Sequence, residues 1–252
     1  MVDVAAGAAA LGLLAGGALY ASVWPTSRIF GRALIAGNDP DEVALTFDDG
    51  PNDAATPALL EVLARHEVRA TFFTIGGFAR QRPELLREVV AAGHLVGNHT
   101  MTHPKLSIEP GARVRQELAD CSAVLEDITG KPVRFFRPPF GARRPMVLRT
   151  ARELGMTPVL WNVTGYDWNP IGPDRILGTL DAGIARNRRR GRGSNLLLHD
   201  GGHLGMGASR MDTVRGVDRL LTSHAGSGTR FVTVDAWSEA AREHARVQRE
   251  ER

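Results

Sequence analysis

The sequence predicts an α/β fold built on parallel strands, either a barrel or a doubly wound sheet. Three observations carry that expectation. Short apolar, β-branched runs alternate with helical periodicities about seven times along the chain, the rhythm of βαβ units. A length of 252 residues with 43% hydrophobic content suits a single α/β barrel with a full core. Carboxylates, histidines and an arginine recur where strands end, and in a barrel those ends form the face that carries the chemistry.

The elements follow in order. Glu42 to Thr46 reads as a buried strand, and Asp48-Asp49-Gly50-Pro51 closes it in a turn. Neighbouring side chains of a strand point to opposite faces, so both carboxylates can serve one pocket only if the backbone bends, which Gly50 permits. One division of labour makes one carboxylate a metal ligand and the other a base; an isolated Asp-Asp-Gly-Pro also reads as an acidic turn. Ala58 to Arg65 carries Leu59, Leu60 and Leu63 at helical spacing, and Val68 to Ile75 follows as a strand ending at Gly76-Gly77. Pro83 opens a helix to Ala92 that Gly93 stops, before a strand from Leu95 to Gly97. Pro110 to Ile128 is a long amphipathic helix that places Cys121 in the core. Strands are expected at Val133 to Phe136, Pro158 to Val163, Asn195 to Leu198 and Phe231 to Val234. Helices are expected at Met146 to Leu154, Asp174 to Ile184, Met211 to Ser223 and Asp235 to Arg246.

Cys121 is the only cysteine, which excludes an intrachain disulfide and any cysteine metal cluster. The net charge is +3, and the arginines of 186–192 read as a solvated loop with no interleaved aromatic residues, which argues against a nucleic-acid partner. Val4 to Trp24 contains no charge and is long enough to cross a bilayer, though rich in Ala and Gly. Gly12 and Gly16 form a GxxxG pair within it. The start, Met-Val-Asp, lacks the basic region of a cleaved signal peptide. Residues 1–27 are therefore expected to be an apolar anchor or signal-like segment and 28–252 the catalytic domain. Arg28 and Arg32 would favour a cytoplasmic domain by the positive-inside rule.

His99 and His103 stand at i and i+4 after the third strand and could face one way on a helical turn, a spacing suited to one divalent ion. With Asp49 they make two imidazoles and a carboxylate, a set that leaves coordination open for water and substrate. His66, His94, His224 and His244 have no such partner and read as structural. Arg137-Pro138-Pro139-Phe140-Gly141, Asp167-Trp168 and Leu196-Leu197-Leu198-His199-Asp200 fall at the ends of later strands. The glycine-rich stretch 201–207 reads as a lid or as plain loop.

In this order TFDDGP, HTMTH, RPPFG, the Asp167-Trp168 segment and LLLHD resemble the five motifs of the polysaccharide deacetylase family, carbohydrate esterase family 4, from Glu42 to Val234. The resemblance implies a distorted, incomplete barrel of seven or eight strands and metal-dependent removal of N-acetyl groups from amino sugars. It implies that Asp49, His99 and His103 bind the metal, usually Zn2+ with Co2+ as an alternative, and that Asp48 is the general base toward the metal-bound water. Arg137 would hold Asp48, His199 would be the general acid, and Asp167 would orient and charge it. Trp168 and Leu197 would line the acetyl slot, and a backbone N–H of the loop at Phe140-Gly141 would face the developing oxyanion. The chain departs from the family at Thr164, where many members carry an aspartate. The expected partner is an N-acetylated glycan of chitin or peptidoglycan type, with residues 4–24 at a membrane and the domain in the cell envelope. The rival readings are an amidase for small cyclic amides or formamides and a sugar-binding module without catalysis.

Overall fold

The computed structural model describes residues 16, 17 and 20–238. Eight parallel strands make one curled sheet in the order β5-β4-β3-β2-β1-β7-β6, with β8 added on β1. β1 (Glu42–Gly50) is the central strand, flanked by β2 (Thr71–Thr74) and β7 (Ser194–His199). β3 (Leu95–Asn98), β4 (Phe135–Phe136) and β5 (Thr157–Pro158) extend one side, β6 (Val163–Thr164) ends the other, and β8 (Arg230–Phe231) meets the start of β1. β5 and β6 do not pair with each other, and at that seam Leu34 bridges Val159. The curled sheet is the incomplete barrel that the family resemblance implied.

Beyond the helical residues 20–23, seven helices cover the outside of this sheet among the described residues: α1 (Ala55–Arg65), α2 (Gly76–Gln81), α3 (Pro83–Ala91), α4 (Gly111–Thr129), α5 (Pro145–Glu153), α6 (Pro173–Arg188) and α7 (Met211–His224). Pro83, Pro145 and Pro173 sit in first turns, where the missing N–H costs nothing. Gly130, at a φ of 66°, ends α4 in the left-handed conformation. Along β1 the period of two separates the layers: Val43, Leu45 and Phe47 join the core with Leu59 and Leu63 of α1, Leu180 of α6 and Val217 of α7. The opposite face, Ala44, Thr46 and Asp48, looks into the lumen.

Several boundaries differ from expectation. β1 runs on through Asp48 to Gly50 because Thr46, Phe47 and Asp48 still pair with β2 and β7. The run from 158 to 163 is two strands, since Asn162 bonds Asn195 of β7 while Val159 bonds Phe136 of β4, so the chain crosses the open seam between them. Gly76-Gly77 opens α2 and does not stop there; a Cβ at Gly76 would lie 2.7 Å from the Met101 sulfur, so glycine is required for packing. Arg186 and Arg188 lie in α6, not in a loop, and Arg188 pairs with Asp41 at 3.0 Å. In place of the expected last helix, residues 234–237 form a 3-10 turn; its continuation to Arg246 lies outside the described residues, as do most of Val4–Trp24 and His244. Cys121 is fully buried, which pushes its thiol up to about 12 and fits a core residue.

Leu63 is fully buried between sheet and helices. Leu63→Ala should lower stability by about 2–5 kcal/mol, read as a drop in urea midpoint with unchanged slope.

Candidate active site

The site is built where β1 ends. Asp48 continues the inward face of the strand, and its register partner across β7 is His199, so the parallel ladder brings a carboxylate and an imidazole to the same height of the lumen. Ordinary strand geometry would turn Asp49 outward. Instead Asp49 adopts a φ of 71° and the ladder to β2 skips a residue between Asp48 and Gly50, a bulge that turns both carboxylates inward. The bend thus falls on Asp49, not on Gly50 as the sequence suggested. Gly50 is needed for a different reason: a Cβ there would stand 2.1 Å from Oδ2 of Asp200.

His99 and His103 leave the end of β3 in a loop and not on a helical turn, with Thr100 at a φ of 68° and His103 at 60°. Buried Glu117 on α4 shapes this loop, accepting the N–H groups of Met101 and Thr102 at 2.9 and 2.8 Å and the Thr102 hydroxyl at 2.6 Å. Nδ1 of His99 lies 2.8 Å from the Arg137 carbonyl, which can only accept, so Nδ1 carries the proton and Nε2 presents a lone pair to the lumen. Nε2 of His99 and of His103 stand 3.4 and 3.1 Å from Oδ1 of Asp49. That oxygen is buried and receives no well-formed hydrogen bond. Burial alone would raise the Asp49 pKa, but the facing His103 and His99 hold it well below the usual carboxylate range. Burial pushes His103 down toward the neutral form that ligates metals. A carboxylate and two imidazole nitrogens converging in a buried site fit a divalent ion, and the triad can hold one.

The guanidinium of Arg137 is fully buried beneath this group. Nη1 donates to Oδ1 of Asp48 at 2.8 Å and to the Thr46 hydroxyl at 2.7 Å, and the plane lies 4.2 Å over the Phe73 ring. On the opposite side, Asp167 accepts His199 Nδ1 at 2.9 Å, the His199 backbone N–H at 2.7 Å and the Thr213 hydroxyl at 2.8 Å. The carboxylate is fully engaged without any acid at Thr164, which sits in β6 opposite Leu197. Burial would lower the His199 pKa; the charge and hydrogen bond of Asp167, with the charges of Asp48 and Asp49, together outweigh it and raise the group to about 9. Trp168 meets the His199 ring edge-on at 5.4 Å and is half exposed, while Leu197 packs with Leu160 and Trp161 in the lumen. The Gly141 N–H is already committed to the Pro138 carbonyl at 2.9 Å, so of the two amides of that loop the Phe140 N–H is the one left to face an oxyanion.

Sequence reasoning missed the supporting roles of Glu117, Asn195 and Thr213, which lie outside the motifs, and of Thr46, which opens the TFDDGP motif. It also missed the fixed course of 201–208. Asn52 Nδ2 donates to the carbonyls of Met206 and Ala208 at 2.6 and 3.0 Å, and Arg210 Nε to that of Gly201 at 2.6 Å. His203 on this loop stacks on His103 at 4.6 Å. Asp200 lies buried below, bonded by Thr56 at 2.5 Å; burial and the nearby Asp49 charge push its pKa up to about 7. His66 and His224 pair with Asp218 and Asp181, and His94 accepts the Ala70 N–H, as structural histidines do.

Loss of a ligand and loss of a loop support should separate in calorimetric zinc titration. Asp49→Ala should abolish saturable binding, whereas Glu117→Ala should weaken it about 10- to 100-fold; unchanged affinity in Glu117→Ala would mean that the histidine loop holds without it.

Comparison with known proteins gives one consistent match. The sequence profile described as polysaccharide deacetylase matches residues 36–159. A chitooligosaccharide deacetylase of Sinorhizobium fredii is 44% identical over 66% of this chain and 75% of its own length. A peptidoglycan-N-acetylglucosamine deacetylase of Bacillus cereus is 33% identical over 80% of this chain and 70% of its own. Among solved structures, the Bc1960 peptidoglycan N-acetylglucosamine deacetylase superposes with a TM-score of 0.72 at 30% identity, covering 81% of this chain and 91% of that one.

Proposed function

The chain belongs to the polysaccharide deacetylase family, carbohydrate esterase family 4, and from that premise we propose that it is a metal-dependent hydrolase that removes N-acetyl groups from an amino-sugar glycan of chitin or peptidoglycan type. The observation that carries this reading is the convergence on one lumen mouth of three pairings: Asp48 with Arg137, Asp49 with two histidines, and His199 with Asp167. Asp49, His99 and His103 would hold the ion, for which nitrogen and oxygen ligands suit Zn2+ or Co2+. When bound, that ion supplies Lewis-acid polarisation of the amide carbonyl and a lowered pKa for water.

The remaining work falls to side chains. Asp48, held in place by Arg137, takes a proton from the attacking water as its oxygen bonds to the acetyl carbon. His199, held protonated by Asp167, gives its Nε2 proton to the amide nitrogen as the C–N bond breaks. Water is consumed, and acetate and a free amine leave. The Phe140 N–H faces the carbonyl oxygen, and Leu197 with Trp168 receives the methyl group. A binding module would have no use for the acid and base, and a soluble amidase none for the apolar run at 4–24, which supports a cell-envelope glycan substrate.

Mass spectrometry of N-acetylglucosamine oligomers and peptidoglycan fragments after incubation with zinc-loaded protein should show stepwise loss of acetyl groups. Chelation should stop it, and Asp48→Asn should keep the metal yet lose on the order of 10²- to 10⁴-fold in turnover. Intact acetyl groups with all of these substrates would overturn the reading.

The pair of Asp167 and His199 makes a second, independent prediction. Deprotonation of His199 should set the alkaline limb of the kcat/KM profile, because the raised pKa keeps the acid protonated to higher pH. In Asp167→Asn the largest raising charge is gone while burial still lowers the pKa, so the limb should move to lower pH with a fall in the plateau. An unmoved limb, with metal content intact, would remove Asp167 from this role.

A further inference from the structure

The segment that joins the apolar amino terminus to the barrel is not a free linker. Arg143, 1% exposed, spends its guanidinium on carbonyls: Nη2 donates to Trp24 at 2.7 Å and Ser27 at 3.1 Å, Nη1 to Gly141 at 3.0 Å. Its backbone N–H donates to the Ser22 carbonyl at 2.9 Å. A buried charge neutralised by these dipoles locks the segment in place, because moving it would strand the guanidinium without partners. Gly141 is next to Phe140, whose ring lies 4.7 Å from that of His103. An unbroken series of contacts thus links Trp24 to the candidate metal ligands.

The outer surface of this segment carries large exposed apolar side chains beside exposed arginines. Tyr20, Trp24 and Ile29 are 47, 53 and 65% exposed, and the Tyr20 and Trp24 rings stack at 5.7 Å. In sequence, the uncharged run of 4–24 leads into this aromatic pair, and Arg28 and Arg32 follow. Exposed aromatic rings between an apolar run and arginines are the pattern of chain at a membrane–water interface. We infer that the face carrying Tyr20, Trp24 and Ile29 rests on a lipid bilayer, and that the Arg143 lock thereby holds the mouth of the active site at the membrane surface. This rests on the deacetylase reading and narrows it: the glycan preferred is one held against the bilayer, such as a lipid-linked N-acetylated amino sugar, with freely diffusing oligosaccharides turned over as well.

The test uses the full chain on vesicles of phosphatidylcholine and phosphatidylglycerol carrying a spin-labelled lipid. Native Cys121 is buried, so a fluorophore can be placed through Ile108→Cys or Ser227→Cys. Ile108 is 75% exposed in the loop between β3 and α4, on the site side of the sheet; Ser227 lies exposed in the turn before β8, at the opposite end. The label at 108 should be quenched several-fold more than that at 227. Arg28→Ser and Arg32→Ser should each weaken partition onto the anionic vesicles about fivefold, and Tyr20→Ser with Trp24→Ser should weaken it further. Arg143→Met should keep vesicle binding but erase the difference between the labels; where that variant fails to fold, the wild-type label pair decides. Equal quenching at the two positions, stronger quenching at 227, or no vesicle binding would overturn the inference. Turnover of soluble N-acetylglucosamine oligomers in the same preparation is a separate arm: its absence would count against the deacetylase reading whatever the labels report.

Discussion

The fully buried guanidinium of Arg137 is the constraint on which the interior of this molecule depends. A cation at that depth is tolerated only with dense compensation, and Asp48, Thr46, Asn195 and the Phe73 ring supply it from β1, β7 and β2. The requirement works in both directions. Arg137 needs the Asp48 carboxyl group beside it to stay buried, and Arg137 in turn fixes where that group points in the lumen, as a proposed base must be held before the reaction. The Arg137 carbonyl then fixes the tautomer of His99. One residue just after a two-residue strand thereby positions the proposed base and orients a proposed metal ligand.

The surroundings carry strain in proportion to their chemical use. Of six non-glycine residues with positive φ among the described residues, five lie in the motif loops: Asp49, Thr100, His103, Phe140 and Tyr166. Each costs about 1–3 kcal/mol against a relaxed backbone, and the cost is offset locally. Asn98 Oδ1 receives the Thr100 N–H, the Thr100 hydroxyl receives the His103 N–H, and Glu117 takes three donors from the next residues. Helix α4, which looks like scaffold in sequence, is thus a support for the histidine loop. Asn52, Thr56 and Asp200 do the same on the Asp49 side, where the 201–208 stretch is tied to the strand end by side-chain bonds.

The apolar surfaces have a comparable order. Phe140, Tyr166, Trp168 and Leu204 are exposed near the mouth, while Tyr20, Val23 and Trp24 are exposed on the segment that Arg143 fastens to the same loop. Scattered apolar residues on a surface need no explanation, but these concentrate at one end of the sheet. A rigid joint between the apolar segment and the barrel gives the site an orientation, whereas a flexible tether would give it only a neighbourhood.

The sequence by itself determined the class of fold, the order of elements and which side chains stand at strand ends. Those features depend on period and on local turn chemistry, and the five motifs lie within single loops, so Asp48, Asp49, His99, His103, Arg137, Asp167 and His199 were legible without coordinates. Tertiary structure alone decided how they meet. The left-handed bend at Asp49, the loop geometry of the histidine pair, the split of 158–163 across the open seam and the helix starting at Gly76 each depend on contacts with residues distant in sequence. The clearest case is His203: nothing in a run of glycines foretells a ring stacked on His103, because its place is fixed by Asn52, more than a hundred residues earlier. A long-range hydrogen bond leaves no periodicity in the chain, and so it could be found only in the folded molecule.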